Sequence, residues 1–246
     1  MGSEPRPEKQ DKQKGDQLPP IPKSSKYHPK GLTVLFEDQD IIIVDKINGL
    51  LTMGTDREKE KTAYFLLTDY VKKGNPRSRN RVFIVHRLDR DTSGILVFAK
   101  TESVKRFLQD NWKEFTKKYI AVVHGQLADK EGIITSYLVE NSAYRMYSVN
   151  NPDKGKYSKT GYKVLKENSN FSLIEIELFT GTKNQIRVHF AENSHPVAGD
   201  KIYGFPEKGV KRLALHSVSL SLIHPFSKKI MMFETKIPPY FYQLVK

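Results

Sequence analysis

The sequence predicts an α+β fold with a central, largely antiparallel mixed sheet flanked by helices. Three observations carry that prediction. Short β-branched and aromatic runs recur along the whole chain, helical spacing interrupts them at only three places, and strands and helices do not alternate regularly as a wound parallel sheet would require.

The elements follow in chain order. Residues 1–30 hold six prolines, many charges and almost no large apolar groups, so they bury too little surface to offset their ordering entropy and read as a disordered tail. Residues 31–246 read as one globular domain. Val34-Leu35-Phe36 and Ile41-Ile42-Ile43-Val44, separated by Glu37-Asp38-Gln39-Asp40, suit a hairpin. Ala63, Leu66, Leu67, Tyr70 and Val71 recur with helical spacing behind Thr62, a natural N-cap. A basic polar loop over 72–81 precedes an alternating strand over 82–89. The turn residues Asp91-Thr92-Ser93-Gly94 come next, and then the buried strand Ile95-Leu96-Val97-Phe98-Ala99.

A second helix fits Val104, Phe107, Leu108 and Trp112 behind Thr101, and strands are expected over 118–123, 133–149, 162–165 and 171–179. The third helix spans 183–192, and late strands occupy 213–222 and 229–234.

Composition narrows the chemistry. There are no cysteines, which excludes disulfides and thiolate metal sites and makes a reducing cytoplasm the simplest compartment. No apolar run approaches the length of a membrane span, so a soluble protein is expected. Forty-one basic residues face 28 acidic ones, a net charge of +13. The tail carries seven basic and four acidic side chains, so an excess of ten positive charges belongs to the globular part. Such an excess favours a polyanionic partner, RNA or DNA in the usual case. The seven histidines are scattered without metal-ligand spacing, and nucleotide-binding glycine motifs are absent, so no metal, cofactor or nucleotide is expected.

One segment concentrates the chemistry: His86-Arg87-Leu88-Asp89-Arg90-Asp91-Thr92-Ser93-Gly94. Alternation puts Arg87 and Asp89 on one strand face, with His86 and Leu88 on the other. A carboxylate flanked by Arg87 and Arg90, between rigid elements, is aimed and kept charged as a catalytic anion must be. On pattern alone such a pair is more often a structural salt bridge. Two further segments stand out. In Lys118-Tyr119-Ile120-Ala121, pattern alone makes Tyr119 a half-buried strand residue. In Phe179-Thr180-Gly181-Thr182-Lys183-Asn184-Gln185-Ile186-Arg187-Val188-His189, Gly181 between strand and helix offers backbone N–H groups to a phosphate, or marks a plain turn capped by Thr182.

The Asp89 segment resembles, without gaps, the signature His-Arg-Leu-Asp-x-x-Thr-Ser-Gly of the RluA-type pseudouridine synthases. The resemblance runs from about residue 32 to 239 and implies the pseudouridine-synthase fold. The family pattern Gly-Arg-x-His-Gln-(Ile/Leu)-Arg-Val-His is matched at Gly181, Gln185, Ile186, Arg187, Val188 and His189, while Thr182 and Asn184 depart from it. The resemblance implies that Asp89 is the essential carboxylate, Tyr119 an active-site tyrosine, and Arg187 the basic partner of Asp89. It also implies RNA contacts from Arg87, Arg90, Lys118, Gly181 and Gln185. The segments around His195-Pro196 and Arg212-Leu213 are similar to the family too and are read as scaffold.

The expected activity is isomerisation of uridine to pseudouridine in ribosomal RNA, with tRNA also open, by a monomer consisting of a catalytic domain without an S4 domain. A non-catalytic RNA-binding or ribosome-associated protein is the alternative, and a glycosylase releasing free uracil is the second rival.

Overall fold

The computed structural model describes residues 28–54 and 58–246. All but the last three positions of the expected tail, and with them the question of a preceding S4 domain, lie outside the described residues. Leu32–Glu37 (β1) and Ile41–Lys46 (β2) form the expected hairpin, and Asp38 closes it by accepting the N–H groups of Asp40 and Ile41 at 2.8 Å each. Helix α1 (Ala63–Lys72) begins where Thr62 accepts the Phe65 N–H, and α2 (Glu102–Asp110) where Thr101 accepts that of Val104. Both caps satisfy a donor that the first helical turn leaves free.

Between the helices lie β3 (Phe83–Ile84) and β4 (Ser93–Ala99). Thr116–His124 (β5), Glu131–Glu140 (β6), Met146–Val149 (β7), Lys156–Glu167 (β8) and Phe171–Leu178 (β9) follow. The chain ends with α3 (Gln185–Glu192), β10 (Leu215–Ile223), β11 (Ile230–Glu234) and α4 (Pro239–Leu244).

The strands form one sheet in the order β1-β2-β4-β10-β5-β9-β8-β6-β7, with β3 added on β4 and β11 on β10. Every pairing is antiparallel except β10 on β4, so the sheet is mixed and largely antiparallel, as expected. Alternation in the central strands sorts apolar side chains to two faces. Ile42, Val44, Leu96, Phe98, Ala121 and Ile174 pack under α1 and α3, while Ile41, Ile43, Ile95, Val97, Ile120 and Val122 pack under α2 and α4. All seven residues of β4 are buried, so a run without alternation reads correctly as a strand covered on both sides. Gly94 is required there. Its φ is +113°, and a Cβ would lie 2.2 Å from the Ser217 carbonyl oxygen where β10 approaches in parallel.

Four expectations change. The strand foreseen over 82–89 pairs only at Phe83–Ile84, because side chains rather than a neighbouring strand satisfy the backbone along that edge. Gln109 donates to the Ile84 and Val85 carbonyls, and the His86 ring accepts the Val97 N–H. The strand around Tyr162 runs for twelve residues. Helix α3 starts at Gln185 rather than 183, since Asn184 is left-handed at φ 52°. Helix α4 was not foreseen, because its six residues are too few to show a period; buried Phe241 anchors it.

Two buried histidines link the elements. His189 lies between the Thr160 and Ser136 hydroxyls, and His216 between those of Ser93 and Thr235. Burial pushes both imidazoles from 6.5 down to about 4. The unfolded chain therefore binds more protons across this interval, and the stability these residues contribute, present above pH 6.5, is lost as pH falls towards 4. The expected slope is up to about 1.4 kcal/mol per pH unit for each histidine. Urea midpoints measured from pH 7.5 to 4.5 should fall accordingly, and less steeply in His216→Asn. A flat profile would contradict this account.

Candidate active site

Asp89 sits in the loop between β3 and β4, and several contacts pin that loop. The Thr52 hydroxyl donates to the Leu88 carbonyl at 2.7 Å and accepts the Leu88 N–H at 3.2 Å. The Arg90 carbonyl accepts from the Gly49 N–H at 2.9 Å and from the fully buried Lys46 ammonium at 3.2 Å. Lys46 also donates to the carbonyls of Ile47 and Leu50. Burial lowers its pKa to about 8, against the upward pull of Asp89, Asp91 and Asp45. A fixed backbone leaves the Asp89 carboxylate little freedom, while its side chain keeps 24% exposure towards solvent.

Arg187 reaches this carboxylate from helix α3, 98 residues along the chain: Nη1 lies 3.1 Å from Asp89 Oδ2. The same guanidinium is held from behind by Asp200, whose two oxygens accept from Nε and Nη2 at 2.7 Å each. Asp200 also accepts the N–H groups of Ile202 and Tyr203. Burial raises the Asp200 carboxyl, but these bonds outweigh it and hold it below the usual carboxylate range. Burial likewise opposes the charge on Arg187, and the two aspartates overcome it, raising the guanidinium above its ordinary value. Arg187 therefore stays charged and aimed, with one donor turned to Asp89.

Tyr119 stands on β5, on the face that carries α3. Burial pushes its phenol up to about 12, with the Asp89 charge acting in the same direction and a hydrogen bond with Ser217 opposing both. The hydroxyl therefore keeps its proton at neutral pH. Asp89, Tyr119 and Arg187 line one cleft of about 360 Å³, together with Arg87, Leu88, Leu178, Gly181, Asn184 and Leu215. That volume is at the low end for small-ligand sites and suits one extruded nucleoside, not a duplex. At one end His86 stacks on Trp112 with centroids 4.3 Å apart. Burial, helped by the Lys117 charge, lowers His86 to about 3, so it is neutral.

The other expected residues divide. Arg87 is exposed and lines the cleft. Arg90 is exposed but spends its Nε on the Gly49 carbonyl, clamping the loop. Lys118 points away: successive strand residues face opposite sides, and it pairs with Glu175 on β9 at 3.0 Å. Gln185 is buried and bonds inward. It donates to the Lys159 carbonyl and Thr160 hydroxyl and accepts from the Thr180 hydroxyl and the Thr182 N–H. It lines the cleft, with its amide spent on holding the turn before α3. Gly181 lines the cleft; its φ is not left-handed, and a Cβ there would meet nothing within 4 Å.

Asp200, Lys46, Thr52 and Tyr203 were not foreseen as supports of the site. The likeness of residues 195–204 to the family, read as scaffold, hinted at Asp200 and Tyr203. As to metals, Asp38, Asp40 and His224 bring ligand atoms within 4.8 Å of one another. Asp38 is already committed to the β1–β2 turn and, at 2.7 Å, to His224 Nε2.

The family model described as RNA pseudouridylate synthase matches residues 40–192, well over half of the chain, and spans Asp89, Tyr119 and Arg187. The chain belongs to the RNA pseudouridylate synthase family. It is an enzyme of the isomerase class that acts on RNA, of the RluA type the motifs resemble. A relative named as an uncharacterized RNA pseudouridine synthase in Mycoplasma genitalium is 36% identical over 215 residues, covering 85% of this chain and 68% of its own. The ribosomal large subunit pseudouridine synthase D of Nitrosomonas europaea is 35% identical over 220 residues, covering 84% and 62%.

In fold, this synthase superposes on human RNA pseudouridylate synthase domain containing 4 with a TM-score of 0.70 at 22% identity, over 85% of this chain and 90% of that one. Among the described residues, no helix is long and apolar enough to cross a membrane.

Proposed function

We propose that the synthase isomerises specific uridines in large-subunit ribosomal RNA, with Asp89, Tyr119 and Arg187 as its catalytic residues, acting as a cytoplasmic monomer without cofactor. The observation that carries this reading is the Asp89–Arg187 pair at 3.1 Å, opening into a nucleoside-sized cleft beside a protonated tyrosine. Relatives named as ribosomal large subunit pseudouridine synthases C and D, from Vibrio cholerae and Nitrosomonas europaea, support the choice of RNA.

Isomerisation breaks the N1–C1′ bond of uridine, turns the uracil within the site, and joins C5 to C1′; the proton on C5 leaves and N1 ends protonated. Cleavage develops positive charge on the ribose, which a fixed carboxylate stabilises. Asp89 acts there, by attack on C1′ or by taking the C2′ proton to give a glycal. Arg187 holds that carboxylate in place through the Nη1 donor on Oδ2. The Tyr119 ring stacks on the uracil, and its hydroxyl meets the proton moving near C5. Arg87, exposed at the rim, holds the backbone or the gap left by the extruded nucleotide, with Arg90 beside it.

Chemical mapping of pseudouridine in total RNA from cells with and without the gene tests this. One or a few large-subunit ribosomal sites should disappear on deletion and return when the purified protein is added. Sites lost only in tRNA would move the substrate to tRNA. Binding without any restored site would favour a recognition protein, and release of free uracil a glycosylase.

A further inference from the structure

Asn184 is the last residue before α3, and its left-handed backbone turns its side chain into the cleft instead of capping the helix. Asparagine is among the few residues that adopt that conformation readily. Its contacts form a chain whose direction can be read from one end. The Met146 backbone nitrogen has only a proton to give, and it gives it to the Tyr203 hydroxyl at 3.0 Å. The Tyr203 proton is then free for its other neighbour, the Asn184 amide, at 3.1 Å. Asn184 accepts it on its oxygen, which turns the amide nitrogen towards Asp89, 2.7 Å from Oδ2 and 3.1 Å from Oδ1. The opposite amide orientation would set a carbonyl oxygen against a carboxylate.

Tyr203 is itself fixed. Its N–H donates to Asp200, and its ring lies 5.2 Å from the Arg187 guanidinium carbon. The anion that holds Arg187 thus also holds the tyrosine that orients Asn184.

We propose that Asn184 and Tyr203 are positioning residues for the reaction: a one-way hydrogen-bond chain, Met146 to Tyr203 to Asn184 to Asp89, sets the orientation of the Asp89 carboxylate against the ribose. This rests on the reading of Asp89 as the catalytic carboxylate. Arg187 gives that carboxylate one donor on Oδ2, which leaves rotation about the Cβ–Cγ bond open. Asn184 donates across both oxygens and closes that freedom. Reacting atoms held in one geometry react faster without binding more tightly, so the effect belongs in the chemical step.

The test measures single-turnover rate and RNA affinity for four variants of the full chain. Asn184→Gly keeps the left-handed backbone without strain and removes only the amide; the rate should fall about 10- to 100-fold, with Kd within about twofold. Asn184→Asp keeps the shape but turns a donor into an acceptor facing Asp89, and should lose at least as much. Tyr203→Phe keeps the ring over Arg187 and removes the relay, with an expected loss of about 3- to 10-fold in rate alone. Asn184→Gly or Tyr203→Phe at the parent rate, or losses confined to Kd, would overturn the proposal. Asp89→Asn runs in parallel: if it stays active, the assignment of Asp89 fails, whereas an inactive Asp89→Asn beside a fully active Asn184→Gly sinks the chain alone.

Discussion

Asp89→Asn is expected to lower pseudouridine formation by a factor of about 10⁴ or more, the scale seen when an enzyme loses its nucleophile. RNA affinity should stay within about twofold. Asparagine keeps the shape of the side chain and can still accept from Arg187, so the loop held by Thr52, Lys46 and Gly49 has no reason to move. What disappears is the negative charge facing the ribose, and with it both routes open to the carboxylate. The cationic side chain at the rim of the cleft, Arg87, is untouched. Pseudouridine counted after long incubation with excess variant decides the matter: yields near those of the parent would remove Asp89 from the mechanism.

The largest effect on stability should come from Asp200→Ala. Asp200 has no exposed side-chain surface and pairs through both oxygens with an Arg187 that is itself 7% exposed. Removing the anion leaves a buried guanidinium with only Asp89 to balance it, a change that costs about 3–5 kcal/mol in comparable buried pairs. Asp200→Asn should cost less, since its amide oxygen still accepts one of the two bonds. Urea unfolding at pH 7 measures both. A loss below about 1 kcal/mol in Asp200→Ala would show that water or a shifted side chain replaces the carboxylate. Activity should fall with stability in both variants, because the guanidinium that steers Asp89 is then free to tilt.

Much of this was legible in residue order because it depends on neighbours. Thr62 and Thr101 cap the helices the spacing indicated, and the unbroken apolar run in β4 is a doubly covered strand. Asp89, Tyr119 and Arg187 stood out through motif resemblance, and the fold brings them to one cleft. The surroundings of Lys118 and Gln185 were not legible for one reason: a basic or amide side chain beside a motif carries no mark of the direction it faces. Lys118 is one residue from Tyr119 and therefore on the opposite face, paired with Glu175 on a strand 57 residues away. Gln185 matches the family pattern, yet its amide spans a turn and β8, partners that adjacency does not reveal.

Short-range rules, which act through backbone propensity and the periods of helix and strand, were enough for the class of fold and most of its elements, and the likeness of one motif to a known family singled out the anion. The environment of that anion arose only on folding. Arg187 meets Asp89 across 98 residues, Asp200 grips Arg187 from a third segment, and Asn184 faces inward because one left-handed residue ends a turn. Electrostatic and hydrogen-bond geometry falls off over a few ångströms, and distances of that size between remote segments are set by how the sheet packs under its helices.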